Sequence, residues 1–320
     1  MKKIDELKVA ALAGGVGGAK LIVGLRNVLP EGQLTAIVNT GDDFEHFGLR
    51  ICPDLDTVCY SLAGVADALH GWGVKDETWH VLDQLRQLEA PSWFALGDRD
   101  LALHLERTRL LAEGNRLTLV TKAICRKLEV STAVLPMCDQ AAPTLIRLKD
   151  GRVLGFQEYF VGERFEPLID EIILPEASNL SMTTEVAEAL RNADLIVICP
   201  SNPWVSIAPI LNVPGVREQV SSKIIIAVSP IINGAALKGP AAKMFAELGI
   251  EASASNVLAH YGELVDGFVY DNQEDENLTI TSSKGIILFK TNTIMKETHE
   301  KNNLAVDVLC LGLKLFNENN

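Results

Sequence analysis

At 320 residues, with 48% hydrophobic and 22% charged side chains, the chain has the composition of a globular enzyme able to bury a substantial core. A net charge of −13 argues against sequence-independent binding to DNA or RNA, which needs a basic surface, but not against a nucleotide held by a local cation. No apolar run approaches membrane-spanning length and Met1-Lys2-Lys3 opens no signal-peptide core, so a soluble, cytoplasmic protein is expected.

Val9 to Ala13 reads as a short buried strand. Gly14-Gly15-Val16-Gly17-Gly18-Ala19-Lys20 then opens onto a helix ending near Leu29. Glycines let the backbone approach a ligand, and the unpaired amides of a helix start favour an anion, with Lys20 adding a point charge. Two familiar phosphate patterns fail here. Ala19 precedes Lys20 and Leu21 follows it, so the P-loop is not met. Read from Gly15, the dinucleotide pattern finds Lys20 where its third glycine belongs. Phosphate binding is expected, without an NAD site or an ordinary ATPase cycle.

A second buried strand, Leu34 to Val38, leads into Asn39–Thr57, where Asp42, Asp43, Glu45, Asp54 and Asp56 crowd into one loop. Loops at the carboxyl ends of such strands are where open α/β sheets place ligands. Crowded carboxylates repel unless a cation joins them, and an oxygen-rich set suits magnesium; a solvated acidic turn is the alternative.

Helices follow from Val58 to Leu69, from Glu77 to about Leu88, and from Leu101 to Leu128 with a break near Gly114. Residues 72–128 thus read as a mostly helical insertion, a lid, within a core made of residues 1–71 and 129–320. Asp98 and Arg99 belong to a charged turn, where Asp98 either serves the site or caps the next helix. Trp93 and Phe94, just before it, read as core. Asp139 reads as a surface acid.

Strands are expected at Thr132–Met137, Thr144–Leu148 and Val153–Val161, the last two joined by an Asp150-Gly151 hairpin turn. Residues 162–182 read as irregular. Thr183–Asn192 is a helix. Buried strands at Leu195–Cys199 and Lys223–Val228 end in Pro200-Ser201-Asn202-Pro203 and Ser229-Pro230. Ser201 and Asn202 are placed to hydrogen-bond a base or a phosphate. A helix begins at Gly239-Pro240 and another at Ala254. Late strands fall at Gly267–Asp271 and Ile286–Lys290, and a closing helix over 300–317 carries leucines on more than one face, as a subunit contact would. Four parallel-type strands therefore end in small or polar loops at Gly14, Asn39, Ser201 and Ser229, the pattern of a nucleotide cleft along one sheet edge. Cys52, Cys59, Cys125, Cys138, Cys199 and Cys310 form no Cys-x-x-Cys pair and read as reduced thiols.

Gly-Gly-Val-Gly-Gly-Ala-Lys (14–20), Asn-Thr-Gly-Asp-Asp (39–43), Cys-Pro-Asp-Leu-Asp-Thr (52–57), Leu-Gly-Asp-Arg-Asp (96–100), Pro-Ser-Asn-Pro (200–203) and Ser-Pro-Ile-Ile (229–232) together resemble the 2-phospho-L-lactate transferase family, CofD. The resemblance runs from residue 9 to about 270. It implies an α/β fold, a Rossmann-like three-layer parallel sheet with a helical insertion after the second strand, often as a homodimer. It also implies magnesium-dependent transfer of a phospho-acyl unit from a guanosine-diphosphate-linked donor to the terminal hydroxyl of the deazaflavin Fo, releasing GMP, in coenzyme F-420 biosynthesis. The residues it points to for binding are Gly14, Gly15, Gly17, Gly18, Lys20, Asn39, Thr40, Asp98, Arg99, Ser201, Asn202 and Ser229. For the metal they are Asp42, Asp43 and Asp56, with Asp42 and Asp56 as catalytic candidates and Asp56 as the Fo contact. A lysine that contacts Fo in some members is replaced here by Ala95. Related glycine-rich proteins that bind nucleotide-sugars without catalysis are the competing reading. The acid carried by the donor, lactate, enolpyruvate or glycerate, stays open.

Overall fold

The computed structural model describes residues 2–67, 71–236, 241–247, 249–274 and 285–319. β1 (Val9–Ala13) turns at Gly14 into α1 (Gly15–Val28) and the chain returns through β2 (Leu34–Val38). The acidic stretch folds as a hairpin, β3 (Phe44–His46) and β4 (Leu49–Ile51), joined by Phe47 and Gly48 at φ of 52° and 72°. Positive φ at both central residues is what a tightly twisted two-residue turn needs. α2 (Pro53–Ala63) follows at once. Pro53 occupies its first turn, where a missing N–H leaves nothing unpaired. The helix expected over Val58–Leu69 is corrected at both ends: it starts at Pro53, so its first turn carries Asp54 and Asp56, and it stops at Ala63, where Gly64 turns left-handed at φ 70°.

Three helices, α3 (His80–Gln87), α4 (Asp98–Ala112) and α5 (Leu117–Lys127), fill the stretch before β5 (Ala133–Pro136). α4 packs on β4, and α5 on α4 and β5. β6 (Leu145–Leu148) and β7 (Val153–Gly155) pair antiparallel across the Asp150-Gly151 turn, with β8 (Ile169–Ile173) on the other edge of β6. Two expectations are corrected here. The strand expected to reach Val161 stops at Gly155, because residues 158–162 wind into a helical turn. The stretch 162–182, expected to be irregular, contains β8; Asp170-Glu171 and a register shift opposite Arg147-Leu148 spoil the alternation that would have marked it.

The rest of the chain rebuilds the sheet from its other side. α6 (Thr184–Asn192) leads to β9 (Leu195–Ile198), short helices α7 (Ala208–Asn212) and α8 (Val216–Val220), and β10 (Ile224–Val228). A small hairpin, β11 (Ile231–Ile232) and β12 (Ala235–Ala236), precedes α9 (Ala241–Glu247); the start expected at Gly239-Pro240 lies outside the described residues. α10 (Ala254–Tyr261), β13 (Gly267–Asp271), β14 (Ile287–Thr291) and α11 (Thr298–Asn319) complete the chain.

The main sheet has seven parallel strands in the order β14-β13-β10-β9-β1-β2-β5. Buried on both faces, its strands read as continuous apolar runs, Val-Ala-Ala-Leu-Ala in β1 and Leu-Ile-Val-Ile in β9. Along β1, residues 9, 11 and 13 join one core with α1, α2 and α11, while Ala10 and Leu12 join a second core under α6, α8 and α10. That makes three layers. The apolar faces of α11 are used inside the chain: Leu304, Leu309, Leu311 and Leu315 are buried in the first core, and a Cβ on Gly24 of α1 would meet the Lys301 carbonyl at 2.1 Å. The first strands run outward from β1 to β2 and β5. The later ones start again at β9, on the other side of β1. The carboxyl ends of β1 and β9 are thus the topological switch point, the place where open α/β sheets leave a crevice for ligands.

Candidate active site at the sheet's switch point

Backbones meet closely at this point. A Cβ on Gly17 would lie 2.4 Å from the Pro200 carbonyl oxygen, so only glycine lets the first turn of α1 sit against the loop leaving β9. Ser201 stitches the two loops together: its Oγ accepts from the Gly14 N–H at 3.1 Å and donates to the Gly14 carbonyl at 2.8 Å. The Gly15 amide donates to Asp54 Oδ1 at 2.6 Å, so a carboxylate already sits at the positive end of the helix.

Asn39, at the end of β2, organises the acids. Its Nδ2 donates to Asp42 Oδ1 at 3.0 Å and to Asp54 Oδ2 at 2.9 Å, bringing two buried carboxyls to one amide. Gln157 Nε2 donates to the other Asp42 oxygen at 3.0 Å. Burial, and then the charge of Asp54, push the Asp42 carboxyl well above its usual range. Burial raises Asp54 to about 6, against the pull of the Asn39 and Gly15 hydrogen bonds. Asp43 is raised to about 7 by burial, against the pull of Arg50, whose Nη2 lies 3.1 Å from its Oδ2.

The second acid of the Pro53–Thr57 stretch is held differently. Asp56 forms a two-pronged ion pair with Arg107 of α4, and both side chains are buried. Arg107 Nη1 also reaches His104 Nδ1 at 3.1 Å, while the Tyr60 hydroxyl donates to Asp100 at 2.6 Å. Burial works to raise the Asp100 carboxyl, but His104, Tyr60 and Arg107 together hold it below its usual value.

These groups surround a cavity of about 550 Å³. Gly14, Gly15, Gly17, Lys20, Asp42, Asp56, Ser201, Asn202 and Ser229 all line it, as do Asp54, Gln157 and His104. Trp72, Trp93, Phe94, Phe156 and Phe160 give it an aromatic wall; Trp93 and Phe94 pack 5.6 Å apart and each against Phe44. The expectation that Trp93 and Phe94 are core is thereby revised: both are only half-buried and face the cavity. Ala95 lines it too, with a methyl group where a lysine would bring charge.

Other sequence candidates lie elsewhere. Gly18 packs behind the cavity lining, where a Cβ would meet Ser201 Oγ at 2.6 Å, and Thr40 is fully buried. Asp43 is tied to Arg50. Asp98 accepts from Thr78 Oγ1 at 2.6 Å and from the His80 and Val81 amides, holding the start of α3. Arg99 is exposed and donates to the Lys75 carbonyl at 3.3 Å. Glu45 is exposed on its hairpin. Four residues of the site are missing from the sequence candidates, His104, Arg107, Tyr60 and Gln157, and Asp54 is named there only as a member of the acidic set. Asp54 is legible as one acid of the loop. Gln157 is hidden in a stretch that reads as strand, and the other three are brought in by helix packing alone.

Among the described residues, no three His, Cys, Asp or Glu side chains gather in metal-binding geometry. The Asp42–Asp54 pair is a set of buried hard oxygen donors gathered on one amide. This fits a magnesium ion that takes one or two carboxylates and completes its shell with waters and substrate phosphate. Asp56 is committed to Arg107. No helix among the described residues is long and apolar enough to cross a membrane.

A family model described as 2-phospho-L-lactate transferase CofD matches residues 9–308. The chain is 39% identical over 316 residues to a phosphoenolpyruvate transferase of Kitasatospora aureofaciens, covering 96% of this chain and 98% of that protein. It is 37% identical to one of Streptomyces coelicolor, with the same coverage of 96% and 98%. Identity to one of Mycobacterium tuberculosis is 40%, covering 80% of this chain and 84% of that protein. A solved structure of a UPF0052 family member from Bacillus halodurans aligns over 97% of this chain and 99% of that one, with a TM-score of 0.61 at 19% identity. That likeness speaks for the fold alone.

Proposed function

The chain belongs to the 2-phospho-L-lactate transferase (CofD) family, transferases of coenzyme F-420 biosynthesis, and on that premise we propose that it moves a phosphoenolpyruvyl unit from a guanosine-diphosphate-linked donor to the terminal hydroxyl of the deazaflavin Fo, releasing GMP. The choice of enolpyruvate follows the names of its similar relatives. The observation that carries the reading is the meeting, in one cavity, of a helix amino terminus, a buried carboxyl pair and an aromatic wall.

Each part has a task. The amides at the start of α1, with Lys20, face the donor diphosphate. Ser201, Asn202 and Ser229 extend the polar strip along the same sheet edge toward the nucleoside. The aromatic wall accepts the flat deazaflavin. The Fo hydroxyl oxygen attacks the phosphorus that bears the enolpyruvyl group, and the bond from that phosphorus to the bridging oxygen breaks. GMP leaves with the bridging oxygen and its electron pair. The hydroxyl proton passes to a carboxylate of the Asp42–Asp54 pair acting as general base. Asp42 and Asp54 would also hold magnesium, which when bound supplies charge neutralisation to the transferring phosphoryl group. Phosphoryl transfer depends mainly on positioning and charge, and this site provides both.

The test is mass spectrometry of the product formed from Fo, magnesium and an equimolar mixture of the lactyl, enolpyruvyl and glyceryl donors. The expected product is an enolpyruvyl phosphodiester of Fo that disappears when magnesium is chelated. No adduct, from protein that still binds GDP, would overturn the reading and favour a nucleotide-binding regulator.

A further inference from the structure

Beyond β9 the chain passes Pro200-Ser201-Asn202 and winds through a single helical turn, Pro203–Ile207. Asn202 starts that turn: its Oδ1 accepts from the Trp204 and Val205 amides at 3.0 and 3.3 Å. The Ser206 amide donates to the Asn202 carbonyl at 3.1 Å, which fixes the backbone there. The turn is also tied to the acids, because Asn39 Nδ2, the nitrogen shared by Asp42 and Asp54, reaches the Val205 carbonyl at 3.2 Å. Ser206 is thereby aimed at the Gly14 turn. The place a Gly14 Cβ would occupy lies 2.4 Å from Asp54 Oδ2 and 2.9 Å from Ser206 Oγ, so the hydroxyl and the carboxylate are neighbours. Ser206 is 6% exposed and lines the cavity. Its Oγ makes no hydrogen bond among the described residues, and unlike the enclosed Thr144 Oγ1 it keeps accessible surface. A hydroxyl so buried is costly without a partner, unless a ligand in the cavity completes it.

We propose that the Ser206 hydroxyl donates a hydrogen bond to a non-bridging oxygen of the transferring phosphate, the one farther from the nucleoside, and is a catalytic residue beside the Asp42–Asp54 pair. The inference rests on the transferase reading above and deepens it by giving the transferring phosphate a donor of its own. Phosphate oxygens accept hydrogen bonds, and ionised carboxyls have none to give. Two of the amides at the start of α1 are already engaged inside the protein, Gly14 with Ser201 and Gly15 with Asp54. The other serines on the cavity wall are engaged as well. Ser201 Oγ is bonded both ways to Gly14, and Ser229 Oγ both ways to Ile231. Ser206 is the serine of this wall with a proton left to give. Asn39 keeps it in register with the acids, since one amide nitrogen holds Asp42, Asp54 and the Val205 carbonyl. A donor fixed before the substrate arrives needs no reorganisation as charge shifts on the phosphoryl group.

The test compares Ser206→Ala and Ser206→Cys with the wild-type chain. Ser206→Ala removes an oxygen that bonds to nothing in the protein, so the Tm is expected to stay at the wild-type value. Calorimetry with GDP and with GMP, both in magnesium, is the first readout. GDP affinity is expected to fall about tenfold or more, as loss of a hydrogen bond to a charged group does. GMP, which lacks the second phosphate, should bind as it does to wild type. The kcat/KM for the donor falls by at least as much, and the KM for the deazaflavin does not move. Ser206→Cys, a weaker donor of similar shape, is expected to fall between the two. Wild-type GDP affinity together with a wild-type kcat/KM in Ser206→Ala overturns the inference. An equal loss for GDP and GMP does so too, because it marks a displaced loop or a contact to the nearer phosphate. A smaller magnesium-induced rise in Tm than in wild type would place the hydroxyl on the cation, and this also overturns the phosphate contact. If the wild-type chain binds GDP but forms no adduct, the transferase reading fails instead. The comparison of GDP with GMP then still decides whether the hydroxyl meets the second phosphate.

Discussion

Asp42 and Asp54 lean on the same amide nitrogen: Asn39 Nδ2 donates to Asp42 at 3.0 Å and to Asp54 at 2.9 Å. Even with Gln157 donating to Asp42 and the Gly15 amide to Asp54, neutral donors do not offset two buried negative charges, so the pair stores electrostatic repulsion that a proton or a cation relieves. The consequence is measurable as stability. Asp54 has a folded pKa of about 6 against a usual 3.8, so its contribution is full below about pH 4 and is lost as pH rises through 6. At pH 8 the charged group costs at most roughly 3 kcal/mol, since each tenfold change in proton affinity is worth about 1.4 kcal/mol, and Asp42 acts in the same direction. Metal-free protein is therefore expected to lose thermal stability on going from pH 5 to pH 8. Magnesium should raise the Tm more at pH 8, where no proton competes for the pair. Thermal melts in magnesium and in chelator, at both pH values, check this. A magnesium shift of the same size at both, or none, rules the pair out as the cation site.

Replacing one of the two acids separates function from stability. Asp42→Asn keeps the shape, removes a charge, and leaves Gln157 able to turn its amide to match. The expected result is a loss of kcat by about a hundredfold or more, as removal of an acid–base group produces, with a Tm at pH 8 equal to or above wild type. Turnover at the wild-type rate under saturating magnesium removes Asp42 from the chemistry.

Gly17 tests the seam between α1 and β9. The 2.4 Å approach to the Pro200 carbonyl involves backbone on both sides, so Gly17→Ala must push the loops apart. A cost of about 1–3 kcal/mol is expected, typical of overpacking, together with weaker GDP binding because the helix amides move off the diphosphate. Gly155→Ala, whose Cβ would meet only the Glu158 carboxylate at 3.5 Å, is the control expected to leave GDP binding unchanged. Calorimetric titration of both variants decides it.

The parallel sheet was legible because its strands are continuous apolar runs, and each of the four central ones ends in glycine, Asn39 or serine. Gly14, Asn39 and Ser201 could be placed at a ligand edge from that pattern alone. The division of labour among the acids could not. Which of Asp42, Asp43, Asp54 and Asp56 face one another depends on α2 starting at Pro53 and on the turn at Phe47-Gly48, both set by local geometry finer than hydrophobic periodicity. Arg50, which takes Asp43 as its partner, stands in a stretch read for its acids, and Arg107, which takes Asp56, in one read for its apolar spacing. Trp93 and Phe94 look alike in sequence whether they fill a core or line a cavity; only the packing of the insertion decides.

Asp98 is a motif residue whose carboxylate holds two helix starts together. Its carboxylate takes hydrogen bonds from the Thr78 hydroxyl and the His80 and Val81 amides, and these hold its pKa below the usual value. The neighbouring Glu77 likewise accepts from the Arg99 and Asp100 amides, so the starts of α3 and α4 are laced to each other. Asp98→Ala frees two amides at the start of α3 and is expected to lower the Tm. The kcat of the folded fraction should stay within about threefold of wild type, because no transition-state contact is lost. Acid should mimic the mutation: a carboxylate with a depressed pKa stabilises above its unfolded value, and that contribution fades as pH falls through the folded one. The Tm gap between Asp98→Ala and wild type is thus expected to narrow below about pH 4. A large fall in kcat with an unchanged Tm would return Asp98 to the active site.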